Sequence, residues 1–520
     1  MMKFNVILKT STSATFELIN DDVYAISDTY DVLLNDALVL NEQSTNVFSV
    51  HDLKPDTEYK VTLIGPDWQQ PSKKFQTEKE TICLNVKRFG AKGDGVADDT
   101  GAIQAAIMSC PEDGRVLIPP GTYSVKTVFL KSNLTLEIVK GAVLSYTGAF
   151  YEGAILPGYL VDSSDEEYYL GSWEGNPLDT YTGLIQGINV EHVRIIGEGV
   201  LDGNGHNWWG YPKVKKGGWR PRLLQLIHSK NVTMQGLTVQ NSPSWTIHPL
   251  FSDDLIFADL KVINPKDSPN TDGLNPESCR RVLIIGVYFS VGDDCIAIKS
   301  GKIYLGRKLK RSSAEITIRN CSMNFGHGAV VIGSEMAGGV RHLTVSQCLF
   351  NETDRGLRIK TRRGRGKDAI VDQIHFKNIK MENVLAPLVI NQFYFCDPDG
   401  HSTYVRTKET LPVDERTPYI GKLVFEDIES KHASIAAGFF YGLPEQPIEA
   451  LVLKNCDFTM AKDGSPGYPA MMDDIEAFHQ AGLVFNHVKS VTLDHVTLKG
   501  VQGVPVTLND VNKVVINDAN

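Results

Sequence analysis

The sequence lacks the long apolar run that a membrane-spanning helix needs. None of its 520 residues belongs to a stretch of about 18 consecutive apolar residues, although apolar residues make up 42% of the chain. The first twenty residues alternate like a strand, without the apolar core or small-residue cleavage site of a secretory signal. We therefore expect no membrane partner and a cytoplasmic location. A secreted or periplasmic location is the alternative if a signal has been removed.

Excess positive charge, abundant cysteine and cofactor motifs are absent as well. The 52 basic and 62 acidic residues give a net charge of −10, which argues against a nucleic-acid partner bound through bulk charge. Eight cysteines are too few for a disulfide framework in this length, so we expect reduced thiols. No phosphate-binding Walker loop, HExxH motif or CxxC zinc spacing occurs, and we predict neither a metal nor a cofactor.

The first 80 residues differ from the rest of the chain. Short alternating runs separated by polar turns predict a small β-sandwich over residues 1–80. Residues 53–61, with Tyr59 near the start of a late strand, resemble the fibronectin type III pattern. Such a domain could bind sugar or dock to a partner, or it could act as a spacer or stabilising cap, which we favour.

A repeat begins near Cys83 and predicts the second domain, residues 81–520. Each eight-residue unit has apolar residues at its first, third, sixth and eighth positions and a turn-forming residue at its fifth. Units occur at 232–239, 255–262, 282–289, 316–323, 343–350, 374–381, 451–458 and 491–498. The unit 423–430 misses only its last position, and 193–200 fits less well because Glu198 takes a core position. Irregular spacing between the copies predicts an all-β, right-handed parallel β-helix whose insertions are loops.

Two further features fit that solenoid. Cys321, Cys348 and Cys456 all stand at the sixth position of their units, so we expect them in the core. Residues 102–108 follow an Asp-Asp-Thr sequence and predict a short helix that covers the amino-terminal end of the solenoid.

Four segments that follow successive units can be aligned: 272–277, 294–299, 328–333 and 355–360. Apolar side chains share two inward columns, the first of them formed by Leu274, Ile296, Val330 and Leu357. The column between them faces outward and contains Asn275, Ala297, Val331 and Arg358. The next outward column contains Glu277, Lys299, Gly333 and Lys360. Stacked strands lie about 4.8 Å apart, so this register gathers distant residues on one outer face.

The face so assembled has three acids and several cations. Asp272, Asp293 and Asp294 should lie together with His327, Arg358 and Lys360, and one coil earlier Trp245 and His248 should flank them. Asp is common in turns, but neighbouring carboxylates repel and raise the pKa of at least one member. A protonated carboxyl beside an ionised one is what acid–base hydrolysis of a glycosidic bond uses.

The four short motifs at 270–273, 292–294, 326–328 and 358–360 resemble those of glycoside hydrolase family 28, the polygalacturonases. The resemblance covers residues of about 85 to 515 and is greatest to bacterial exo-polygalacturonases with an amino-terminal fibronectin type III-like domain. It implies inverting hydrolysis of α-1,4 bonds in polygalacturonate or pectic oligosaccharides without a metal. It also implies that Asp293 is the general acid, that Asp272 and Asp294 activate water, and that His327 tunes the acid. Arg358 and Lys360 would bind the substrate carboxylate.

Further substrate-binding candidates surround these residues. They are Asn270, His248, Lys299, Arg355 and Tyr394. Seven of the thirteen residues from Arg355 to Lys367 are basic, and we interpret this cluster as a polyuronate-binding rim, with a solvated loop as the alternative. Tyr394 could stack on a sugar or belong to the core.

Three insertions bear on where the substrate chain is cut. Residues 148–182, 206–222 and 395–418 could wall off the groove, and we then expect exo action that releases mono- or digalacturonate from the non-reducing end. The insertions could instead only decorate the surface. Other functions considered are a rhamnogalacturonan hydrolase of the same family, a calcium-dependent pectate lyase and a carbohydrate-binding solenoid without activity.

Overall fold

The computed structural model describes residues 3–150, 153–210, 214–215 and 217–519, and its amino-terminal part is a β-sandwich. One antiparallel sheet contains Lys3–Lys9, Ala14–Ile19 and Val47–Val50; the other contains Ala25–Leu34, Ala37–Thr45, Glu58–Ile64 and Lys73–Gln76. Phe16 and Phe48 stack at 5.2 Å in the shared core. The Lys54 backbone N–H donates to the Tyr59 hydroxyl at 2.9 Å, which is the tyrosine corner typical of such sandwiches. The division of the chain at residue 80 stays a prediction.

From Cys83 onward the chain winds into the predicted right-handed parallel β-helix with three ladders of stacked strands. The first ladder contains Cys83–Asn85, Gly114–Ile118, Leu134–Ile138, Glu191–Ile196, Lys230–Gln235, Asp253–Ala258, Arg280–Ile285 and Ser313–Arg319. The second contains Asp94–Asp98, Gly121–Val125, Ala142–Tyr146, Val200–Asp202, Thr238–Gln240, Lys261–Ile263, Tyr288–Ser290 and Ser322–Asn324.

Later coils merge the first two ladders into long bent strands. These are Val340–Asn351, Ile370–Glu382, Lys422–Ala433, Ile448–Met460, Ala481–Lys499 and Val506–Ala519, with a short strand at Tyr419–Ile420. The third ladder contains Val128–Phe129, Ile185–Ile188, Leu224–Ile227, Ile247–Leu250, Asp294–Ile298, Gly328–Ile332, Arg355–Lys360, Ala386–Asn391 and Ala436–Tyr441. The starts of Ala481–Lys499 and Val506–Ala519 continue it.

Strand pairing confirms the eight-residue repeat. The first residues of successive units pair in one ladder: Val193, Val232, Leu255, Val282, Ile316, Leu343, Ile374, Leu423, Leu451 and Val491. The fifth residues adopt the left-handed backbone conformation, which favours Gly, Asn and Asp. Glu198 is not in the core, because that corner is one residue longer and Leu201 pairs with Val239.

One continuous apolar core fills the solenoid. Cys321, Cys348 and Cys456 are fully buried in it, as predicted, and none of the described cysteines is in a disulfide. The helix Thr100–Ser109 follows a 3-10 helix at Val86–Phe89 and buries Ile103 and Ile107 at the amino-terminal end. No described helix is long and apolar enough to cross a membrane.

The sandwich lies along the corner formed by the fifth residues of the units. A carbon added at Gly236 would meet His51 at 2.7 Å, and one added at Gly286 would meet Val47 at 2.5 Å. Next along the corner, the Arg319 guanidinium donates to both carboxylate oxygens of Glu17 at 2.7 and 2.8 Å. Because these contacts span many coils, the sandwich is docked along the solenoid and is not a tethered module.

The three insertions form short elements outside the coils. Strands Ile155–Leu156, Tyr159–Val161, Glu167–Tyr169, Ser172–Trp173, Asn176–Pro177 and Thr180–Tyr181 belong to the first, which lies partly outside the described residues at 151–152. The second contains the helix His206–Trp209 and strands Val214–Lys215 and Gly218–Trp219, with 211–213 and 216 outside the described residues. The third contains the helix Thr403–Arg406, and a further helix, Ile303–Leu309, follows the third ladder.

Candidate active site

The third ladder positions the acids in the register that the sequence predicts. Leu274 bridges to Ile296, which pairs with Val330, and Val330 pairs with Leu357. The Gly273 backbone N–H donates to the Asp294 carbonyl at 3.0 Å, so Asp272 and Asp294 stand at equivalent positions of neighbouring coils. Distant segments therefore meet on one face because inward apolar residues fix the register of each strand.

Nine of the eleven predicted site residues line one cavity of about 500 Å³. They are Asn270, Asp272, Asp293, Asp294, Lys299, His327, Arg358, Lys360 and Tyr394. Surrounding side chains and loops cover part of the outer face here, while His327 at the cavity edge keeps 55% of its side chain exposed. Asn275, Ala297 and Val331, which we placed on the outward columns, are fully buried beneath that cover.

Asp294 is held as a carboxylate by two cations. Lys360 Nζ lies 2.8 Å from Asp294 Oδ2, and Arg358 Nη1 lies 3.9 Å from Oδ1. Burial alone would raise the pKa of Asp294, but Lys360 and Arg358 lower it below its ordinary value. Asp294 Oδ1 is buried and makes no hydrogen bond with any described residue.

The two neighbouring acids are shifted in the opposite direction. Burial and then the charge of Asp294 raise the pKa of Asp293. Burial and then the charge of Asp293 raise the pKa of Asp272 well above its ordinary value, although Lys299 Nζ is 3.8 Å away. Asn275 Nδ2 also donates to Asp272 Oδ2 at 2.9 Å. The cluster therefore combines one ionised carboxylate with carboxyls that hold protons more tightly than usual.

His327 borders the acids from the next coil. Its backbone N–H donates to the Asp293 carbonyl at 3.1 Å, and its Nδ1 lies 2.8 Å from Asp354 Oδ2. The hydrogen bond with Asp354 raises the pKa of His327 above its ordinary value. His327 is thus a positive or easily charged group at the edge of the cavity.

Lys299 is a buried cation within the cavity wall. Its Nζ lies 4.1 Å from the centre of the Trp245 ring and 3.4 Å from Glu335 Oε2. Burial would raise the pKa of Glu335, but Lys299 and Lys302 instead lower it to about 2. Glu335 therefore stays ionised and holds Lys299 beside Asp272.

Two predicted substrate contacts are corrected by the structure. His248 is completely buried, with Nε2 2.9 Å from Glu277 Oε2, and burial lowers its pKa to about 4. It packs edge-on against Trp245 behind the cavity wall. Arg355 donates to the backbone carbonyls of Tyr468 and Pro469 at 2.6 and 2.8 Å. Its guanidinium therefore fixes a loop and does not line the cavity.

The predicted basic rim is also wrong for its central arginines. Arg362, Arg363 and Arg365 have no more than 4% of their surface exposed. Arg363 forms a doubly hydrogen-bonded ion pair with Glu445, at 2.6 and 2.8 Å. Arg362 and Arg365 bind Asp397 instead, at 3.2 and 2.8 Å. These arginines therefore pair with acids of the same chain and hold the third insertion in place. The sequence has no periodic pattern here that would distinguish such internal ion pairs from a basic patch exposed to substrate.

Several cavity residues were missed by the sequence reasoning. Lys302, Ser334 and Glu335 stand just beyond the ends of third-ladder strands, a position from which the strand alignment could have suggested them. The remainder come from segments where no repeat fixes position: Glu174 and Asn176 from the first insertion, Cys396, Asp397 and Pro398 from the third, and Met471 from the loop between Ile448–Met460 and Ala481–Lys499. The second insertion supports the cavity indirectly, because Arg220 donates to Asn270 Oδ1 at 2.6 Å and Trp219 stacks on Trp173 at 4.7 Å.

Comparison with known proteins agrees with this geometry. A family model described as glycosyl hydrolases family 28 matches residues 168–437, and one described as rhamnogalacturonase A/epimerase, pectate lyase-like, matches residues 83–153. A probable polygalacturonase of Vitis vinifera is 29% identical over 384 residues, which cover 72% of this chain and 73% of that protein.

Two solved structures are also similar. The hyperthermoactive exopolygalacturonase from Thermotoga maritima is 25% identical, covers 75% of this chain and 89% of its own, and has a TM-score of 0.61. The family 28 exopolygalacturonase of Yersinia enterocolitica is 19% identical, covers 99% of this chain and 98% of its own, and has a TM-score of 0.70. The second similarity concerns the fold, and it extends over both the sandwich and the solenoid.

A parallel β-helix with acids paired on one face suits a glycoside hydrolase, and the family match places it in the pectin-degrading class. The family model covers more than half of the chain, from 168 to 437. The chain therefore belongs to glycosyl hydrolase family 28, the polygalacturonase family.

Proposed function

We propose that this protein is an inverting hydrolase of α-1,4-galacturonosidic bonds that acts on chain ends. Membership of the family implies a pectic substrate. The observation that carries the catalytic proposal is the coil register that places Asp293 and Asp294 on one face, with Lys360 Nζ 2.8 Å from Asp294 Oδ2. In this setting the pKa of Asp294 is lowered and that of Asp293 is raised. Environments that push two carboxyl pKa values apart assign one group as base and the other as acid.

The reaction follows from those protonation states. Asp293 gives its proton to the glycosidic oxygen while the bond from that oxygen to the anomeric carbon breaks. On the other face of the sugar, Asp294 takes a proton from a water whose oxygen forms the new bond to the anomeric carbon. Asp272, whose pKa is raised by burial and by Asp293, orients that water. An α bond is thereby replaced by a β hydroxyl, which is inversion.

Recognition of a uronate is supported by the cations of the cavity. Arg358 approaches Oδ1 and Lys360 approaches Oδ2 of Asp294, and both cations lie within 6.0 Å of the Tyr394 ring centre. A guanidinium and an ammonium suit a sugar carboxylate, and an aromatic ring suits the apolar face of the sugar. A substrate carboxylate would take over part of the pairing that these cations give to Asp294.

Action on chain ends is supported by the walls of the cavity. Residues from the first insertion, Glu174 and Asn176, and from the third, Cys396 to Pro398, stand around the acids. The volume of about 500 Å³ is within the range of pockets for small ligands. The similar Thermotoga maritima protein carries the name exopolygalacturonase. We propose mono- or digalacturonate as the product, released from the non-reducing end.

The experiment compares two signals from one polygalacturonate digest. Reducing ends should rise in proportion to mono- or digalacturonate while the viscosity of the solution stays near its starting value. An early fall in viscosity with mixed oligomers as first products would refute action on chain ends. A parallel digest of rhamnogalacturonan that releases a rhamnose-containing disaccharide, with no reducing ends released from polygalacturonate, would favour the rhamnogalacturonan alternative. The cytoplasmic location and the domain boundary at residue 80 stay predictions beside this function.

A further inference from the structure

Lys302 joins two loops at the cavity that are distant in sequence. Its Nζ lies 2.5 Å from Asp397 Oδ1 in the third insertion and 3.5 Å from Glu174 Oε2 in the first. The Lys302 side chain is only 10% exposed, and Glu335 is a third acidic neighbour. Lys302 therefore connects the first and third insertions through two ion pairs.

Asp397, the partner of Lys302 in the third insertion, is held in place by other residues. Asp397 Oδ2 accepts from Arg365 at 2.8 Å and from Arg362 at 3.2 Å, and both arginines are buried at the end of a third-ladder strand. Asp397 therefore remains fixed to the solenoid by two ion pairs even without Lys302. Through its ion pair with Glu174, Lys302 holds the first insertion next to this fixed aspartate.

The partner of Lys302 in the first insertion belongs to the tip of the hairpin formed by strands Ser172–Trp173 and Asn176–Pro177. The Lys302 backbone N–H donates to the Gly175 carbonyl at 2.9 Å. Gly175 has a φ of +73°, and a Cβ there would meet the Lys302 nitrogen at 2.6 Å and Glu335 at 3.0 Å. The tip thus touches the solenoid so closely that only glycine fits without displacement.

The base of the hairpin is anchored independently of Lys302. Trp173 is buried between the Trp219 ring, stacked at 4.7 Å, and the Arg222 guanidinium, also at 4.7 Å. Loss of the Lys302 side-chain pairs should therefore leave the hairpin attached at Trp173, while Glu174 at the tip becomes free to move away from the cavity wall.

We propose that Lys302 is a positioning residue that holds this hairpin tip against the Asp397 loop and so restricts the cavity to chain ends. The inference rests on the proposed end-acting function and names the contact that enforces it. Release of the tip opens the wall beside the acids, and a polygalacturonate chain can then pass through the site and be cut internally.

The test compares Lys302→Met with wild type on polygalacturonate, at equal release of reducing ends. We expect viscosity to fall several-fold further for Lys302→Met, and oligomers longer than two sugars to appear among the first products. Lys302→Arg, which keeps the charge, should restore most of the wild-type product profile. A merely structural role would lower activity without changing the size of the products.

Lys308→Met is the matched control. Lys308 belongs to the helix Ile303–Leu309 next to Lys302, and it also forms an ion pair with the first insertion, through Glu167. It does not line the cavity. Its product profile should equal that of wild type.

Gly175→Val and Glu174→Gln test the same contact from the hairpin side. Valine at 175 displaces the tip without altering any charge, and glutamine at 174 weakens the pair with Lys302 while leaving the partly exposed side chain in place. Gly175→Val should give the same longer products as Lys302→Met, and Glu174→Gln a smaller change. These variants decide the matter if Lys302→Met does not fold.

The failure of this inference can be distinguished from the failure of the proposed function. An early viscosity collapse with the wild-type enzyme would refute action on chain ends itself. If wild type releases only mono- or digalacturonate, and folded Lys302→Met and Gly175→Val do the same, the role of Lys302 is refuted and action on chain ends stands.

Discussion

Lys360 Nζ and Asp294 Oδ2 form a 2.8 Å ion pair although 66 residues separate them in sequence. The pair links two third-ladder strands, Asp294–Ile298 and Arg355–Lys360, with the strand Gly328–Ile332 between them. The pair affects the chemistry of the site, because Lys360 lowers the pKa of Asp294 more than any other neighbouring cation does. The coil register thereby sets the protonation state of the proposed base.

Lys360→Met should move the whole pH profile of kcat/KM to higher pH. Removal of this positive charge raises the pKa of Asp294. Because Asp294 must be ionised for catalysis, the acid limb of the profile moves to higher pH. Removal of the charge also raises the pKa of Asp293. Because Asp293 must be protonated for catalysis, the alkaline limb moves to higher pH as well. Lys360→Arg, which keeps the charge, should leave both limbs close to wild type. A Met variant with unshifted limbs would contradict the electrostatic role of Lys360.

Asp293→Asn should abolish turnover while leaving the fold intact. The variant cannot supply the proton that the leaving oxygen needs, and general acid catalysis is worth about 10²–10⁴-fold. The residue is on the outer face of the third ladder and forms no part of the apolar core. The checks are kcat on polygalacturonate and the thermal midpoint of unfolding. More than about a tenth of wild-type activity would remove Asp293 from the role of acid.

Arg358→Ala should weaken the handling of uronate substrates. Loss of a charge-assisted contact costs about 1.5–3 kcal/mol, or roughly 10- to 150-fold in kcat/KM. The loss should be smaller on methyl-esterified pectin, whose sugars carry less charge. Lys367→Ala is the matched control, because Lys367 is 61% exposed and pairs only weakly with Glu415. Equal losses on charged and esterified substrate would contradict a carboxylate clamp.

Glu17→Gln should lower the stability of the protein. Glu17 is 7% exposed and accepts two hydrogen bonds from Arg319 and one from Asn320 across the contact between the sandwich and the solenoid. Weakening these charge-assisted bonds should cost about 1–3 kcal/mol in the free energy of unfolding. Glu58→Gln weakens an exposed pair with Lys74 in the same sandwich and should leave the free energy of unfolding close to that of wild type. Equal midpoints of urea unfolding for the two variants would contradict a brace through Glu17.

Most of the solenoid could be predicted from the sequence because its repeat is local. Each unit alternates apolar and polar residues, and its fifth residue adopts the left-handed conformation that Gly, Asn and Asp tolerate best. Register then follows, since a shift by one residue would expose the apolar column of Leu274 and Ile296. This is why Asp272, Asp294 and Arg358 could be placed on one face from spacing alone.

The walls of the cavity could not be predicted in this way. Glu174 and Asp397 belong to insertions that follow no repeat, and their positions depend on contacts with Lys302. The same absence of a repeat explains the wrong prediction for Arg362 and Arg365. A run of basic residues looks alike whether its partners are a substrate or an acid of the same chain.

The most direct measurement is a proton NMR time course of a polygalacturonate digest, read before mutarotation mixes the anomers. If Asp293 protonates the leaving oxygen while Asp294 activates water on the opposite face, the β anomer of mono- or digalacturonate appears first and the α anomer follows only by mutarotation. First appearance of the α anomer, or of an unsaturated uronide from a lyase reaction, would contradict inverting hydrolysis by these two carboxyls.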